Sequence, residues 1–361
     1  MTWRQIACGG AATFSALLIL VTFLPAWHTD RWWVRMWDYP RLQVAGLMLV
    51  ALVGLFLVWP RYGNGFWALI ILTIAAFGWQ VSHFIAYLPL YPREIESAKS
   101  CAPERAISLL NANVLMGNRD YQSLIRLIDQ RQPDLVMLLE GSKDWEEALD
   151  RLDDKYPFRL SEPVPNTYGM ILLSRLPMEG EIRHLLQPAV PSAHVKIRLE
   201  DGQVIDFYGL HPEPPLPGDD SGERDAELMQ IGKKVRTAGR AAIVMGDLND
   251  VAWSHTSRLF KKASGMGDPR VGRGFYPTFN AKHPLMRWPL DHLFVSPHFV
   301  LMEIDVLPSI GSDHFPIFFR LCLKDPADVR KVAPSAPASV EAEANEEVRA
   351  GKSERNQEDA E

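Results

Sequence analysis

Cysteine is scarce in this chain, and positive charge is in the minority, 38 Lys and Arg against 44 Asp and Glu. Three cysteines, Cys8, Cys101 and Cys322, stand among 361 residues. They are too few and too scattered for a zinc site or a disulfide scaffold, although one pair remains possible. The formal net charge is -6, so the bulk basicity that advertises a nucleic-acid binder is missing. Lys233 with Lys234, and Lys261 with Lys262, are isolated pairs that read as solvated faces. Internal repeats are missing from the soluble part of the sequence. No cysteine stands among the polar strand-end residues that carry the argument below, which excludes thiol chemistry there.

Apolar length is what the first quarter has in excess. Three runs stand out, at 6–27, 44–59 and 65–88. A spanning helix needs about 20 mostly apolar residues. The first and third runs meet that, and the second is slightly short but uncharged. Trp27, Trp32, Trp33, Trp37, Trp59, Tyr62, Trp67 and Tyr91 sit at the run ends like interfacial aromatic belts. The expectation is a membrane domain over 1–100 with three transmembrane helices, placing the protein in the cytoplasmic membrane as a multi-pass chain. A signal peptide explains only the first run. With three spans, Arg4 and Arg61 fall on one side, and Arg31, Arg35, Arg41, Arg93 and Lys99 on the other with the remaining chain. The positive-inside count leans toward a cytoplasmic C-terminal domain.

Over 101–325 the pattern changes to short apolar runs separated by polar and Gly/Pro turns. "AISLLNANV", "PDLVMLLE", "GMILLSRLP", "HVKIRL", "VIDFYGLH", "AAIVMGDLN", "LDHLFVS" and "FPIFFRLCL" each read as a strand. "YQSLIRLIDQRQ" carries a helical stripe of Leu124, Ile125, Leu127 and Ile128. Strands interspersed with helices predict a layered α/β domain. From 326 to 361 the chain is rich in Ala, Pro, Glu and Ser and is expected to be a disordered acidic tail.

Several strands end in a polar residue: Asn111, Asn113, Glu140, His211, Asp247, Asn249, Asp291, Asp313 and His314. Each alone reads as well as a turn. Together they are carboxylates, amides and imidazoles. Hard divalent cations such as Mg²⁺ take oxygen ligands, and a His beside a carboxylate is the common general base. The kit suits attack of water on a phosphate ester. His292 reads as structural, and His194, His255, His283 and His298 as surface residues.

The ordered motifs "NANV", "DLVMLLE", "GDLND", "LDHLFVS" and "GSDHFPI" resemble the endonuclease/exonuclease/phosphatase superfamily. The resemblance covers about 106–323. It implies a four-layered α/β sandwich, two packed mixed β-sheets flanked by helices, here preceded by three transmembrane helices. It implies Mg²⁺ or Mn²⁺ on Glu140, with Asn111, Asn113 and Asp313 assisting. It implies a His314 held by Asp291, an Asp247 that positions water, and Asn249 with His211 on the phosphoryl oxygens. Either His314 or Asp247 is the base. One departure concerns His211: the Glu that partners it in deoxyribonuclease-type members is missing, leaving Tyr168 or Glu213.

Two substrate classes follow. The layout resembles three-span family members linked to polyprenyl pyrophosphate hydrolysis, so the expected partners are membrane lipids and a phosphorylated, lipid-linked substrate, with no protein partner implied. The alternative is a membrane-tethered nuclease; an inactive scaffold is a third reading, opposed by the intact polar set. In this fold the first and last strands are antiparallel neighbours, which brings Cys101 toward Cys322. A disulfide there implies an oxidising, extracytoplasmic face. That conflicts with the positive-inside count, and the sequence leaves the side open.

Overall fold

The computed structural model describes residues 3–58, 63–215, 217, 220–329 and 335–358. Eleven strands among them form two sheets. The first contains β1 (Ala106–Asn113), β2 (Leu135–Leu139), β3 (Phe158–Glu162), β4 (Met170–Ser174), β10 (Phe299–Val306) and β11 (Ile317–Leu323), in the order β10-β11-β1-β2-β4-β3. The second contains β5 (Met178–His184), β6 (Pro191–Arg198), β7 (Val204–Leu210), β8 (Ala242–Asp247) and β9 (Asp291–Val295), in sequential order. Both are mixed: β1 runs parallel to β2 and β7 to β8, and the other pairings are antiparallel.

The sheets pack face to face over a core that includes Leu109, Met137, Leu172, Phe207, Met245 and Phe319. The buried strands are near-continuous apolar runs because both of their faces are covered. Helices α5 (Tyr121–Arg131) and α6 (Lys143–Ala148) cover the outer face of the first sheet. Helices α7 (Gly222–Ala238) and α8 (His255–Ser264) cover the second. The result is the expected α/β sandwich. As expected, β1 and β11 are antiparallel neighbours, and Cys101 is disulfide-bonded to Cys322 with Cα atoms 5.8 Å apart.

The C-terminal expectation needs correction. Helix α9 (Ala338–Glu358) packs along α7. Its contact face carries Val340, Ala344 and Val348, and a Cβ on its Gly351 would lie 2.6 Å from Ala226 Cβ. Small residues buy close approach instead of large buried area, so composition alone reads as disorder. His255 is also corrected: it is half-buried against this helix, 2.8 Å from Glu343. His194 is buried too, beside Ser192.

At the N-terminus lie α1 (Trp3–Phe23), α2 (Trp32–Arg35), α3 (Arg41–Val58) and α4 (Gly63–Phe84). Two helical stretches, Gln5–Ala26 and Phe66–Tyr87, are long and apolar enough to cross a membrane. The middle run reaches that length only as a pair, Trp32–Asp38 with Arg41–Leu57, bent by 70°. Expected belt residues Trp59 and Tyr62, and the cation Arg61, lie outside the described residues. Helices α1, α3 and α4 share a small core of Leu18, Val44, Met48, Ala51 and Ala76. Their other faces expose large apolar groups such as Val50, Leu57 and Ile71, as lipid-facing helices do.

The α2 segment is more than a connecting loop. Arg35, counted above as a free cation, is buried against Asp225 at 3.5 Å and Asp250 at 3.2 Å. Arg41 is buried against Asp38 at 2.6 Å and donates to Gln80 at 2.9 Å. Trp253 is fully buried and donates its indole N–H to the Asp38 carbonyl at 2.7 Å. Ala45, Phe84 and Tyr87 pack with Val251, Trp253 and Leu290. The apolar helices are therefore docked on the sandwich, on the side where "GDLND" emerges.

Candidate active site

The strands deliver their polar ends to one edge. β1 ends at Asn111 and Asn113, β2 is followed by Glu140, β7 by His211, β8 ends at Asp247 and β9 begins at Asp291. Parallel pairing of β1 with β2 and of β7 with β8 puts C-terminal ends side by side, and antiparallel β9 brings its first residue opposite Asp247. Gly246 has a φ of 155°, and a Cβ there would overlap the Leu210 carbonyl oxygen, so the motif needs glycine at that point. Glu140 and Asn249 also adopt positive φ, 60° and 49°. Asn tolerates that region and Glu does not, so Glu140 is held in a strained conformation of the kind found at functional sites.

Asp247 is the hub. Its Oδ2 accepts from Asn113 Nδ2 at 3.1 Å and lies 3.4 Å from His314 Nε2 and 4.0 Å from His211 Nε2. Its Oδ1 accepts from the Asn249 N–H at 2.9 Å. His314 Nδ1 lies 2.8 Å from Asp291 Oδ2, and Asp291 Oδ1 accepts from Asn111 Nδ2 at 2.7 Å. The His314 ring rests on Phe279 with centroids 4.9 Å apart. Burial alone disfavours the imidazolium, but the carboxylates of Asp247 and Asp291 outweigh it and raise the His314 pKa to about 9.

Asn113 also donates to Glu140 Oε1 at 2.9 Å, and its own oxygen accepts from the Leu115 N–H at 3.1 Å. It thus joins two carboxylates and offers its oxygen to the backbone, a positioning role where ligation is expected. Asp313 stands apart, accepting from the Ser312 hydroxyl at 3.4 Å. His211 sits against Tyr168, ring centroids 5.7 Å apart, and its Nδ1 is buried without a hydrogen-bond partner. Glu213 accepts from Gln187 instead. Asn249 donates to the Pro212 carbonyl at 2.9 Å, which ties the "GDLND" loop to the His211 strand end.

The donor set fits a divalent cation. Asn111 Oδ1 is buried without a partner. Glu140, Asp247 and Asp291 carry three negative charges against one imidazolium, leaving two in excess. One carboxylate oxygen of Asp247 and one of Asp291 lie within 4.8 Å of each other. Hard oxygen donors with surplus negative charge suit such an ion.

Sequence reading took His292 as structural, and the structure agrees; it missed Asp268 and Arg270, which brace this edge with it. His292 is buried, 2.9 Å from both the Asp250 carbonyl and Arg270 Nη2. Arg270 pairs with buried Asp268 at 2.9 Å and donates to the Asp291 carbonyl at 3.2 Å. Burial, then Arg270, lowers the His292 pKa to about 3, so it is neutral. A buried Arg beside a buried Asp has no periodic signature, and only the basic residue in "GDPRVGRG" hints at it.

A two-sheet sandwich with a carboxylate–histidine cluster at one edge is the architecture of a phosphoester hydrolase. The Endonuclease/Exonuclease/phosphatase family matches residues 110–314, more than half of the chain, and the chain belongs to that family. Members of the family are hydrolases of phosphoester bonds and are generally dependent on a divalent metal. A family protein from Bacteroides thetaiotaomicron shares the fold at a TM-score of 0.50 and 18% identity, covering 65% of this chain and 100% of its own. The human Nocturnin catalytic domain, solved with bound sulfate, does so at 0.50 and 16%, covering 62% and 96%. No curated protein matches the chain by sequence.

Proposed function

We propose that this chain is a membrane-anchored phosphoesterase, dependent on Mg²⁺ or Mn²⁺, that hydrolyses a lipid-linked phosphate such as a polyprenyl pyrophosphate. The observation that carries the reading is one contact. Tyr39, two residues before the apolar helix α3, donates its hydroxyl to the Asn249 carbonyl at 2.5 Å. The loop carrying Asn249 is thereby built onto the start of an apolar helix, which would bring it within reach of a headgroup layer. The loop 281–287 supports the same reading. Its Leu285 and Met286 are 85% and 54% exposed, and Gln43 of α3 donates to the Leu285 carbonyl at 3.0 Å. Lys282 and Arg287 flank that apolar tip, and Phe279, at the base of the loop, packs on His314. Cations beside an apolar tip suit an anionic headgroup layer.

Glu140 and Asn111 would hold the cation, which when bound would supply neutralisation of phosphoryl charge and polarisation of the ester. Asp247 orients the attacking water. The Asp247 and Asp291 carboxylates favour the imidazolium of His314, which suits it to meet developing negative charge, with Asp247 as the acceptor. Asn249 and His211 line the phosphoryl oxygens. The disulfide between Cys101 and Cys322 supports a catalytic domain in an oxidising compartment.

The test is Mg²⁺-dependent turnover by detergent-purified protein on a polyprenyl pyrophosphate and, in parallel, on supercoiled plasmid, with Glu140→Ala as control. The expected result is phosphate release that the substitution abolishes, with plasmid left intact. Nicking that the substitution abolishes, without phosphate release, overturns the lipid reading in favour of a tethered nuclease.

A further inference from the structure

Three residues from distant parts of the chain meet away from the phosphoester site. His28 lies between α1 and α2, His255 is the first residue of α8, and Glu343 lies in the second turn of α9. The two imidazole rings stack with centroids 4.0 Å apart and planes 23° apart. His255 Nε2 is 2.8 Å from Glu343 Oε1. Yet this buried nitrogen makes no hydrogen bond of acceptable geometry. A nitrogen that close to a carboxylate oxygen, and not aimed at it, is placed to share a third point with it. One ligand atom from each of the three residues lies within 4.8 Å of the others.

We propose that His28, His255 and Glu343 bind a zinc ion that clasps the C-terminal helix to the catalytic domain and to the connection leaving the first apolar helix. Two imidazoles and a carboxylate form an established kind of zinc ligand set, with a fourth position left for water. Such mixed nitrogen and oxygen donors select zinc over magnesium. The clasp also bears on the loop at the active edge. Ser254 caps α8 and donates its hydroxyl to Asp250 at 2.6 Å, so fixing His255 stiffens 250–255.

The proposal does not depend on which phosphoester is cleaved. Its test uses the full chain in detergent, stripped with EDTA and titrated with Zn²⁺ or Co²⁺. Zinc should bind and raise the melting temperature, in the wild type and in Glu140→Ala alike. Cobalt at the same site should give the visible absorption of a tetrahedral centre. His28→Ala, which changes an exposed side chain and leaves the fold intact, should weaken zinc binding roughly tenfold or more and remove both signals. Glu343→Gln should do the same. Equal zinc affinity in His28→Ala and the wild type overturns the proposal, as does zinc binding that Glu140→Ala abolishes.

Discussion

Asp247 and Asp250 are three residues apart on one loop and face opposite ways. Asp247 turns into the catalytic edge, where three carboxylates meet one imidazolium and two buried polar atoms, Asn111 Oδ1 and His211 Nδ1, have no partner. Asp250 turns toward the apolar helices, where Asp225 and Asp250 meet Arg35 and Arg224. Two negative charges there face two positive ones, and Thr256 and Ser254 add hydrogen bonds. One cluster is short of positive charge; the other is balanced in charge, although its Arg224 Nη2 makes no hydrogen bond. A cluster left short is prepared for a ligand, and a balanced one holds structure. The comparison implies that damage to the first should cost activity and damage to the second should cost stability.

The largest effect tests the first half. Glu140→Gln removes one of the surplus negative charges at a partly exposed position. It should lower kcat by about 10²–10³-fold or more, while the melting temperature measured in EDTA stays level or rises. Loss of stability in step with activity would break the distinction. The second half is tested by Arg35→Met, which leaves Asp225 and Asp250 facing Arg224 alone. Removing one partner from a buried charge cluster costs about 3–5 kcal/mol. Thermal denaturation should show that loss, and adding Asp250→Asn should recover part of it.

The pH dependence gives a smaller effect of known sign. His314 has a folded pKa of about 9, above its unfolded value. Its contribution to stability is therefore complete below about pH 6.5 and lost as pH rises through 9. In EDTA the melting temperature should fall between pH 7 and 9.5, and His314→Gln should flatten that slope. With cation present, kcat/KM should fall over the same high-pH limb if the imidazolium contacts phosphoryl oxygen, and a flat profile would remove that role.

The Asp247 cluster was more legible in the sequence than the Arg35–Asp250 cluster, for a physical reason. Glu140 and Asp247 interrupt apolar strands, and a polar residue at the end of "LVMLL" or "AIVMG" stands out. The residues of the second cluster sit in polar surroundings and need a partner far along the chain to acquire meaning, as Arg35 needs Asp250. Helix α7 escaped for the same reason: its first turn buries Glu223, Arg224 and Asp225, so it shows no apolar stripe there. Strands β5 and β10 are half-exposed and lack a continuous apolar run. The orientations of Asn113 and Asp313 were not legible, because spacing gives a residue's address and not the direction of its amide or carboxylate.

The finest probe of the comparison acts on the backbone between the two aspartates. The Asn249 carbonyl accepts from Tyr39 at 2.5 Å and from Arg224 at 2.9 Å, so the loop is gripped from the side of the apolar helices while Asp247 faces the site. Tyr39→Phe removes one of those donors and keeps the ring beside Trp288. The expected loss is about 1 kcal/mol, small because Arg224 still satisfies the carbonyl. Its location gives it diagnostic value. If the apolar helices only tether the enzyme, Tyr39→Phe should lower the melting temperature by a degree or two and leave kcat and KM untouched. If they also position the phosphate loop, kcat on a lipid substrate and on a small soluble phosphate ester should fall together by a few fold, since the displaced group is Asn249 and not a lipid contact. A fall confined to the lipid substrate would assign Tyr39 to the headgroup side of the site.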